Sequence, residues 1–517
     1  MAWWVTPEEM AAFDRRTALE GVPAEELMER AGRAACEIAV KMASPSDGPV
    51  DAFCGPGNNG GDGFVLARLL QESGYAVRAV FAADSTSTIS PLCMKKLVRF
   101  RESGGAVIGM NKLVDLSGKP GLAIDALLGT GFHGALEGPA AECTGILAAA
   151  PAPMLALDTP TGINGSTGEI DPRTPSADVT VCFGAAKAGL LLPPGCGLAG
   201  AVFVADIGIK VDGRPDRHVM DFEAASALLP DRPVDAHKSR FGRVMLLGGS
   251  EEMPGAPLLM CMGALRAGAG LAHLFVPYPA APAVSGRIPE VICSYFLPGD
   301  VTSLPDPSPF ACLAAGPGMG SGVDTLKVIR HILANWSIPA VLDADALNVL
   351  SGSFTELAAR HAPLVLTPHP GELRRLTGKD DTTLTQRWET AAVLARATGA
   401  TVLVKGRPAM VITPDGRRIL IPTGNSGLAT GGSGDVLTGM IAGLMAQGMG
   451  TSDAACLGAF LHGLAADIVA SDKSSRSLLP SDVADALGRA FALLEAGPPP
   501  GLLRLEGRWN GRLWSVP

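Results

Sequence analysis

What this chain of 517 residues lacks narrows its function. Positive charge is in short supply: 42 lysines and arginines against 51 acids leave a formal charge of −9. That gives no support to binding of nucleic acid or an anionic membrane, so any polyanionic ligand has to be held by local groups. The ten cysteines form no CxxC pair. Most sit in apolar contexts such as "DAFCGP" and "LLMCMG", which read as reduced core cysteine. The first residues carry acids and no basic-then-apolar signal segment, and no apolar run reaches bilayer-spanning length. The sequence holds no G-x-x-x-x-G-K-[ST], which excludes a P-loop. His369, His462 and Asp467 lack a zinc-ligand spacing. Together these absences favour a soluble cytoplasmic enzyme.

What is present suits a large folded protein with many turns: 47% hydrophobic residues, 64 glycines and 41 prolines. The length exceeds one comfortable core, so at least two domains are expected. Short apolar runs recur through the first part, "VDAFC", "YAVRAVFA", "GLAIDALLG", "PMLALDTP", "ADVTVCFG" and "AVFVADIG", with amphipathic segments such as "DGFVLARLLQESG" between several of them. A second series begins at Arg243 with "RVMLLGGS" and runs through "LAHLFVP", "FACLAAGPG", "PAVLDADAL", "PLVLTPHPG" and "TVLVKG" to "AMVITPDG". Strands alternating with helices predict a mostly parallel sheet covered on both faces, twice over, with sites at strand C-terminal ends. The expected division is a first α/β domain over 1–215, a polar connection with one short helix over 216–235, a second α/β domain over 236–490, and a loosely ordered tail over 491–517 that includes Trp509 and Trp514. The small-residue runs "GDVLTGMIAGLMAQG" and "SDAACLGAFLHGLAADIVA" read as buried helices.

The first chemical signal is "GPGNNGGDGF". Gly55, Gly57 and Gly60 satisfy G-x-G-x-x-G, and Asp84 lies near the spacing of a dinucleotide fold's ribose-binding acid. A carboxylate at Asp62 inside the turn would repel pyrophosphate, which counts against that reading. Two further strand ends carry acids: Asp125 in "LAIDALLGTGFHG" and Asp158, just before Thr161, in "LALDTPTGING". Asn59, Asp125 and Thr161 would offer oxygens to a hard cation while Asp158 serves proton transfer. The plainer alternative is that these side chains only cap helices and stabilise turns.

The motifs "GPGNNGGDGF", "IDALLGTG", "LDTPTG" and "FGAAKAGLLLPPG" together resemble the NAD(P)HX epimerase half of the bifunctional NAD(P)H-hydrate repair family, over most of 5–215. The resemblance implies a potassium ion at Asn59, Asp125 and Thr161, the last replacing a family serine and keeping its hydroxyl. It implies substrate loops at Asn58, Asn59, Gly60, Gly61 and Asp62 and at Gly129, Thr130, Gly131, Phe132, His133, Gly134 and Ala135, with Asp158 as catalytic substrate contact. Familiar members often carry a basic residue near His133 or Gly134.

The second signal is "TGNSGLATGGSGDVLTG". Gly431, Gly432, Ser433 and Gly434 form a nest of backbone donors at a predicted helix start, suited to a transferring phosphate, and Asp435 is placed to take a proton from a hydroxyl. Lys405 and Gly406 end "TVLVKG". His369 and Glu372 lie in "LTPHPGE", which on its own is as easily a turn. Asp343 and Asp345 in "VLDADAL" gain weight as magnesium organisers beside such a nest.

This set, with "GPGMG" and "PGAPLLMCMGALRAGAG", resembles the ADP- or ATP-dependent NAD(P)HX dehydratases over nearly all of 236–490, and so implies a ribokinase-like α/β/α fold there beside a Rossmann-like three-layer sandwich in the first half. By that resemblance Ala256, Gly318, His369 and catalytic Asp435 contact the hydrated cofactor. Lys405, Gly406, Arg407, Pro408, Ala409 and Gly434 contact the adenine nucleotide. Fused members use ADP, so ADP is expected over ATP, with Mg2+ and a homo-oligomeric assembly. Met253 replaces a frequent aromatic, and "HGLAADIVA" lacks a glycine common before Asp467. The expected activity is repair of NADHX and NADPHX: epimerisation of the R and S forms by an isomerase half, and dehydration of the S form by a lyase half that releases AMP and phosphate. A small-molecule kinase in the second half, or a binding module without catalysis in the first, are the competing readings.

Overall fold

The computed structural model describes residues 2–84, 88–115, 118–211, 216–360, 362–496, 503–506, 508–509 and 512–513. The chain divides into two compact units, Met1–Arg214 with Pro498–Pro517, and Pro215–Gly497.

In the first unit the apolar runs become strands β1 (Val50–Cys54), β2 (Val77–Phe81), β3 (Ala106–Gly109), β4 (Leu122–Ala126), β5 (Met154–Leu157), β6 (Val179–Phe183) and β7 (Ala201–Ala205). Their order is β7-β6-β5-β4-β1-β2-β3, all parallel. Every residue of β1 is buried. Val50, Ala52 and Cys54 enter one apolar cluster and Phe53 the other, because alternate residues of a strand face opposite sides. A strand buried on both faces has to be covered twice, which gives three layers. Helices α1 (Pro7–Leu19), α2 (Ala24–Met42), α3 (Asn58–Glu72), α4 (Pro91–Glu102) and α5 (Gly138–Ala149) supply the cover. From β1 the chain moves outward through β2 and β3 and then returns to β4 on the other side, so a switch point opens between β1 and β4.

The second unit repeats this grammar. Its strands are β8 (Arg217–Val219), β9 (Arg243–Leu247), β10 (Leu271–Pro277), β11 (Val291–Phe296), β12 (Cys312–Ala315), β13 (Ala340–Leu342), β14 (Leu364–Leu366), β15 (Thr401–Val404), β16 (Ala409–Ile412) and β17 (Arg418–Ile421). They run β11-β10-β9-β12-β13-β14-β15-β16-β17-β8, parallel except where β16 pairs antiparallel with β15 and β17. The helices that matter below are α6 (Gly255–Arg266), α7 (Val323–Asn335), α8 (Pro370–Thr377), α9 (Leu384–Thr398), α10 (Ser433–Ala446), α11 (Thr451–Asp472) and α12 (Pro480–Glu495). The switch point lies between β9 and β12.

Three expectations change. The stretch 216–235, expected as a connection, contributes β8, which pairs with β17, as well as a short helix Phe222–Ala227. Helix α11 is long and apolar enough to cross a membrane, contrary to the expectation that no run has that length; nearly all of its apolar stretch is packed inside the protein, the setting of a core helix. In the tail, Leu503–Glu506 forms a strand β18 antiparallel to β7, so this part is paired rather than loose. Trp514 lies outside the described residues, as does the side chain of Trp509.

Small residues in α6 and α10 do more than mark burial. A Cβ on Gly439 would sit 1.9 Å from the Met260 carbonyl oxygen, and one on Gly263 would sit 2.1 Å from that of Val436. The two backbones approach this closely because neither position carries a side chain. Gly439→Ala should lower stability by about 1–3 kcal/mol in denaturant unfolding, because overpacking outweighs the propensity gain. Gly488→Ala on α12, where nothing lies within 4 Å, should instead stabilise by up to about 1 kcal/mol.

Candidate active sites

In the first unit three strand ends converge at the switch point. Helix α3 starts at Asn58 straight after β1, and a Cβ on Gly60 would lie 1.8 Å from the Gly55 carbonyl oxygen. Gly60 is therefore fixed by the tightness of the strand-to-helix turn, and Gly55 by the Leu127 carbonyl oxygen beyond β4, 1.9 Å from where its Cβ would sit. Gly60 and Gly61 are buried, while Asn58, Asn59 and Asp62 line a cavity of about 630 Å3. The same cavity is lined by Gly129, Thr130, Gly131, Phe132, His133, Ala135 and Asp158; Gly134 stays outside the lining, and so does exposed Asp84.

Behind this wall is a knot of oxygens. Asp125 at the end of β4 is fully buried and accepts from the Thr161 hydroxyl at 2.6 Å, the Thr161 N–H at 2.8 Å and the Leu127 N–H at 3.2 Å. The Thr161 hydroxyl oxygen also accepts from the Leu128 N–H at 3.1 Å and lies 3.4 Å from the Leu128 carbonyl oxygen. Asn59 Nδ2 donates to that carbonyl at 3.1 Å, leaving the buried Asn59 Oδ1 without a hydrogen-bond partner among the described residues. Burial pushes the Asp125 carboxyl up, against the pull of its three hydrogen bonds. Asn59, Asp125 and Thr161 are thus brought together with one uncompensated oxygen, a donor set that suits a cation.

Asp158, just past β5, takes a left-handed backbone at φ 62°, a strained state for a residue with a side chain. Its Oδ1 accepts from Lys187 Nζ, and the same ammonium donates to the Phe183 carbonyl at 2.8 Å. The Lys187 side chain is 1% exposed. Burial works to deprotonate this lysine, but Asp158, Cys182 and Asp14 together outweigh it and the net shift is upward. Lys187 was not singled out in the sequence: a lone lysine in "FGAAKAG" carries no spacing signal.

The second unit gathers its groups at the ends of adjacent strands. Asp343 follows β13, His369 follows β14 and Lys405 follows β15. Lys405 Nζ donates to Asp343 Oδ1 at 2.5 Å and lies 4.0 Å from Glu372 Oε2. The other oxygen of buried Asp343 accepts from the Thr438 hydroxyl at 2.6 Å. Asp345 accepts from the Gly320 N–H at 2.8 Å and from Asn348 Nδ2 at 3.2 Å. His369 caps α8: its Nδ1 accepts from the Gly371 N–H at 3.0 Å, and Glu372 Oε2 accepts from the His369 N–H at 2.8 Å. "HPGE" is therefore a capping box that also faces the charged cluster. Burial, then Lys405 and Arg375, lower the His369 pKa and favour the neutral ring.

Helix α10 begins after Gly432 with Asp435 in its first turn. Burial, then the neighbouring Asp343, raise the Asp435 carboxyl to about 7 despite Lys405. Ala256 and Gly318 lie side by side, since a Cβ on Gly318 would sit 3.0 Å from that of Ala256. A pocket of about 290 Å3 is lined by Lys405, Gly406, Arg407, Ala409, Ser433 and Gly434; Pro408, Gly431 and Gly432 are outside its lining. Apolar Leu403, Ile421, Leu428 and Leu437 make much of the wall. Asn425 and His462 also line it and were not identified as ligand groups from sequence. The Ser433 hydroxyl and His462 Nε2 are buried with no partner among the described residues. Among the described residues no three His, Cys, Asp or Glu side chains cluster as a metal site.

Residues 244–489 match the family model for NAD(P)H-hydrate dehydratase, and 24–189 match the model for the YjeF-related protein N-terminus. The chain is similar to the bifunctional NAD(P)H-hydrate repair enzyme Nnr of Moorella thermoacetica, with 36% identity covering 95% of this chain and 97% of the relative. The enzyme of the same description from Thermofilum pendens is 33% identical, over 94% of this chain and 95% of its own. Among solved structures, the ADP/ATP-dependent NAD(P)H-hydrate dehydratase of Bacillus subtilis, co-crystallised with ATP and Mg2+, aligns at a TM-score of 0.50 and 32% identity, covering 54% of this chain and 99% of that one.

The Asp435 environment has a consequence for stability. The folded carboxyl keeps its proton up to about pH 7, whereas its ordinary value is 3.8, so its contribution to stability falls as pH rises through that window. Asp435→Asn is therefore expected to melt a few degrees above the parent chain at about pH 8, with the difference closing towards about pH 4. Thermal unfolding across this range measures it.

Proposed function

The chain belongs to the family of bifunctional NAD(P)H-hydrate repair enzymes, which epimerise hydrated nicotinamide cofactors and dehydrate them at the expense of a nucleotide, and from that premise we propose how its residues divide the chemistry. The first unit takes NADHX or NADPHX, whose reduced ring carries a hydroxyl at C6. The ring nitrogen's lone pair assists departure of that hydroxyl, and Asp158 is the acid/base that moves the proton. The placement of Asp158 in a large cavity, strained and ion-paired to Lys187, supports this reading. Asn59, Asp125 and Thr161 would hold K+, a fit supported by the orphaned Asn59 oxygen and the buried Asp125 carboxylate. The ion would neutralise that carboxylate.

The second unit takes S-NAD(P)HX and a nucleotide, with ADP the preferred donor. Asp435 removes the proton of the C6 hydroxyl as a phosphoryl group transfers to it, leaving AMP. Phosphate then departs from C6 and a proton from C5, restoring the ring double bond. Backbone donors at Gly431–Gly434 and the Lys405 ammonium stabilise the charge on the transferring group. Mg2+ would be held by the nucleotide's phosphates beside Asp343 and Asp345, the carboxylates next to the nest, and would offset phosphate charge. Ala256, Gly318 and His369 position the hydrated cofactor. Asp435 with its pKa near 7, at a helix start beside Lys405, is the observation that carries the assignment. The partners are these small molecules, in a cytoplasmic homo-oligomer.

The test is full-length protein with mixed R- and S-NADHX, ADP, K+ and Mg2+, following reduced nicotinamide absorbance, AMP and phosphate. Asp435→Asn should lose AMP formation and S-NADHX consumption together, by at least about 100-fold. Asp158→Asn should still consume the S form but leave R conversion at the non-enzymatic rate. Because the base must be ionised, dehydration should rise with pH through about 7. Normal turnover by Asp435→Asn, or a stable phosphorylated product without released phosphate, would refute the dehydratase assignment.

A further inference from the structure

We propose that Asp62 is a second catalytic residue of the first site, giving a proton to the departing C6 hydroxyl while Asp158, paired with Lys187, takes one from the water that adds to the opposite face. This rests on the hydrated-cofactor reading of that cavity. Both carboxylates line it. Asp62 is the fifth residue of α3, one turn beyond the helix start that follows β1, and Asp158 stands beyond β5, with β4 between those strands. At ordinary strand spacing the two strand ends are about 10 Å apart, and the cavity over them, about 630 Å3, has room for a ring. Two carboxylates sharing one cavity, one giving a proton and one taking it, are the arrangement that inverts a carbon through water in glycoside hydrolysis.

The two acids have opposite surroundings. Asp158 is bonded to an enclosed ammonium, whereas Asp62 makes no side-chain hydrogen bond among the described residues. The groups facing Asp62 are Asp158 from the loop after β5, Asp14 from α1, Lys187, and Cys93 and Lys96 from α4. Burial, then Asp158 and Asp14, prevail over the two lysines and push the Asp62 carboxyl well above its usual range. An acid that keeps its proton suits donation, and a paired carboxylate suits acceptance.

The step balances. The nitrogen lone pair forms C6=N as the C6–O bond breaks, and the Asp62 proton leaves with the hydroxyl as water. A second water adds to the opposite face of the planar carbon and its proton passes to Asp158. Return of that proton to Asp62 through solvent resets the site, with no oxidant or reductant. A single acid/base would have to reach both faces of the ring.

The experiment measures R-to-S conversion of NADHX by wild type, Asp62→Asn, Asp62→Glu and Asp158→Asn, with the non-enzymatic rate subtracted. Asp62→Asn should lower kcat at least about 100-fold with KM within about threefold, and its residual rate should climb about tenfold per pH unit of acidification as hydronium replaces the missing acid. Wild type should lose activity as pH rises through the raised Asp62 value, a limb absent from Asp62→Asn, and Asp62→Glu should regain part of the rate. A kcat for Asp62→Asn within about threefold of wild type overturns the proposal, as does a loss confined to KM with an unchanged pH profile. An inactive Asp158→Asn beside an active Asp62→Asn removes Asp62 and leaves Asp158 in place. A wild type that epimerises nothing overturns the substrate reading and this proposal with it.

Discussion

A lysine ammonium paired with a carboxylate at the crest of a parallel sheet, enclosed in the first unit and partly exposed in the second, is the interaction on which both sites depend. In the first unit it is Lys187 with Asp158, and in the second Lys405 with Asp343. Taking two charges out of water is expensive, and hydrophobic replacements of such pairs are often as stable or more so. Breaking one partner away leaves an uncompensated charge and costs about 3–5 kcal/mol. Pairs of this kind are poor evidence for stability. They fix charge in place where a strand ends and a loop must be aimed, which is what a site at a switch point requires.

The architecture was largely legible in the sequence because parallel strands buried on both faces read as mainly apolar runs, unbroken in β5 and β13 and carrying a single polar or charged residue in β1, β4, β9 and β15. The strand-end acids Asp125, Asp158 and Asp343 could be found for the same reason: each interrupts or follows such a run. Other features were hidden. Strand β8 is three residues long, Arg217–Val219, and is defined by its partner β17 rather than by any periodicity of its own. Lys187 sits in a two-residue strand, Ala186–Lys187, where no pattern marks its ammonium as buried. His462 belongs to a helix that is apolar almost throughout, so only the fold reveals that it faces a pocket.

Glycine was the least legible residue. In "GPGNNGGDGF" a nucleotide cradle and a tight strand-to-helix turn demand the same letters. The geometry assigns Gly60 to the turn, where it meets the Gly55 backbone, and Gly55 to close approach of the Leu127 backbone. In α6 and α10 glycine lets two helices approach to backbone contact, where burial alone would have accounted for small residues. Composition shows that space is short at such positions; it does not show whether a ligand or the protein's own backbone takes that space.

The two units also solve one electrostatic problem alike. Each sets beside its lysine-paired carboxylate another acid that has no lysine of its own: Asp62 near Asp158, and Asp435 near Asp343. In each case burial and then the paired carboxylate raise the second acid. A carboxylate paired with an ammonium beside an acid whose surroundings raise it provides an ion pair and a movable proton in one place. The two sites can use the proton in opposite senses. Asp62, far from its ordinary range, holds a proton to give, whereas Asp435, at about 7, is balanced to receive one near neutrality. Cofactor repair needs both directions at the same carbon, donation when hydroxide must leave unaided and acceptance when a phosphoryl group makes the leaving group.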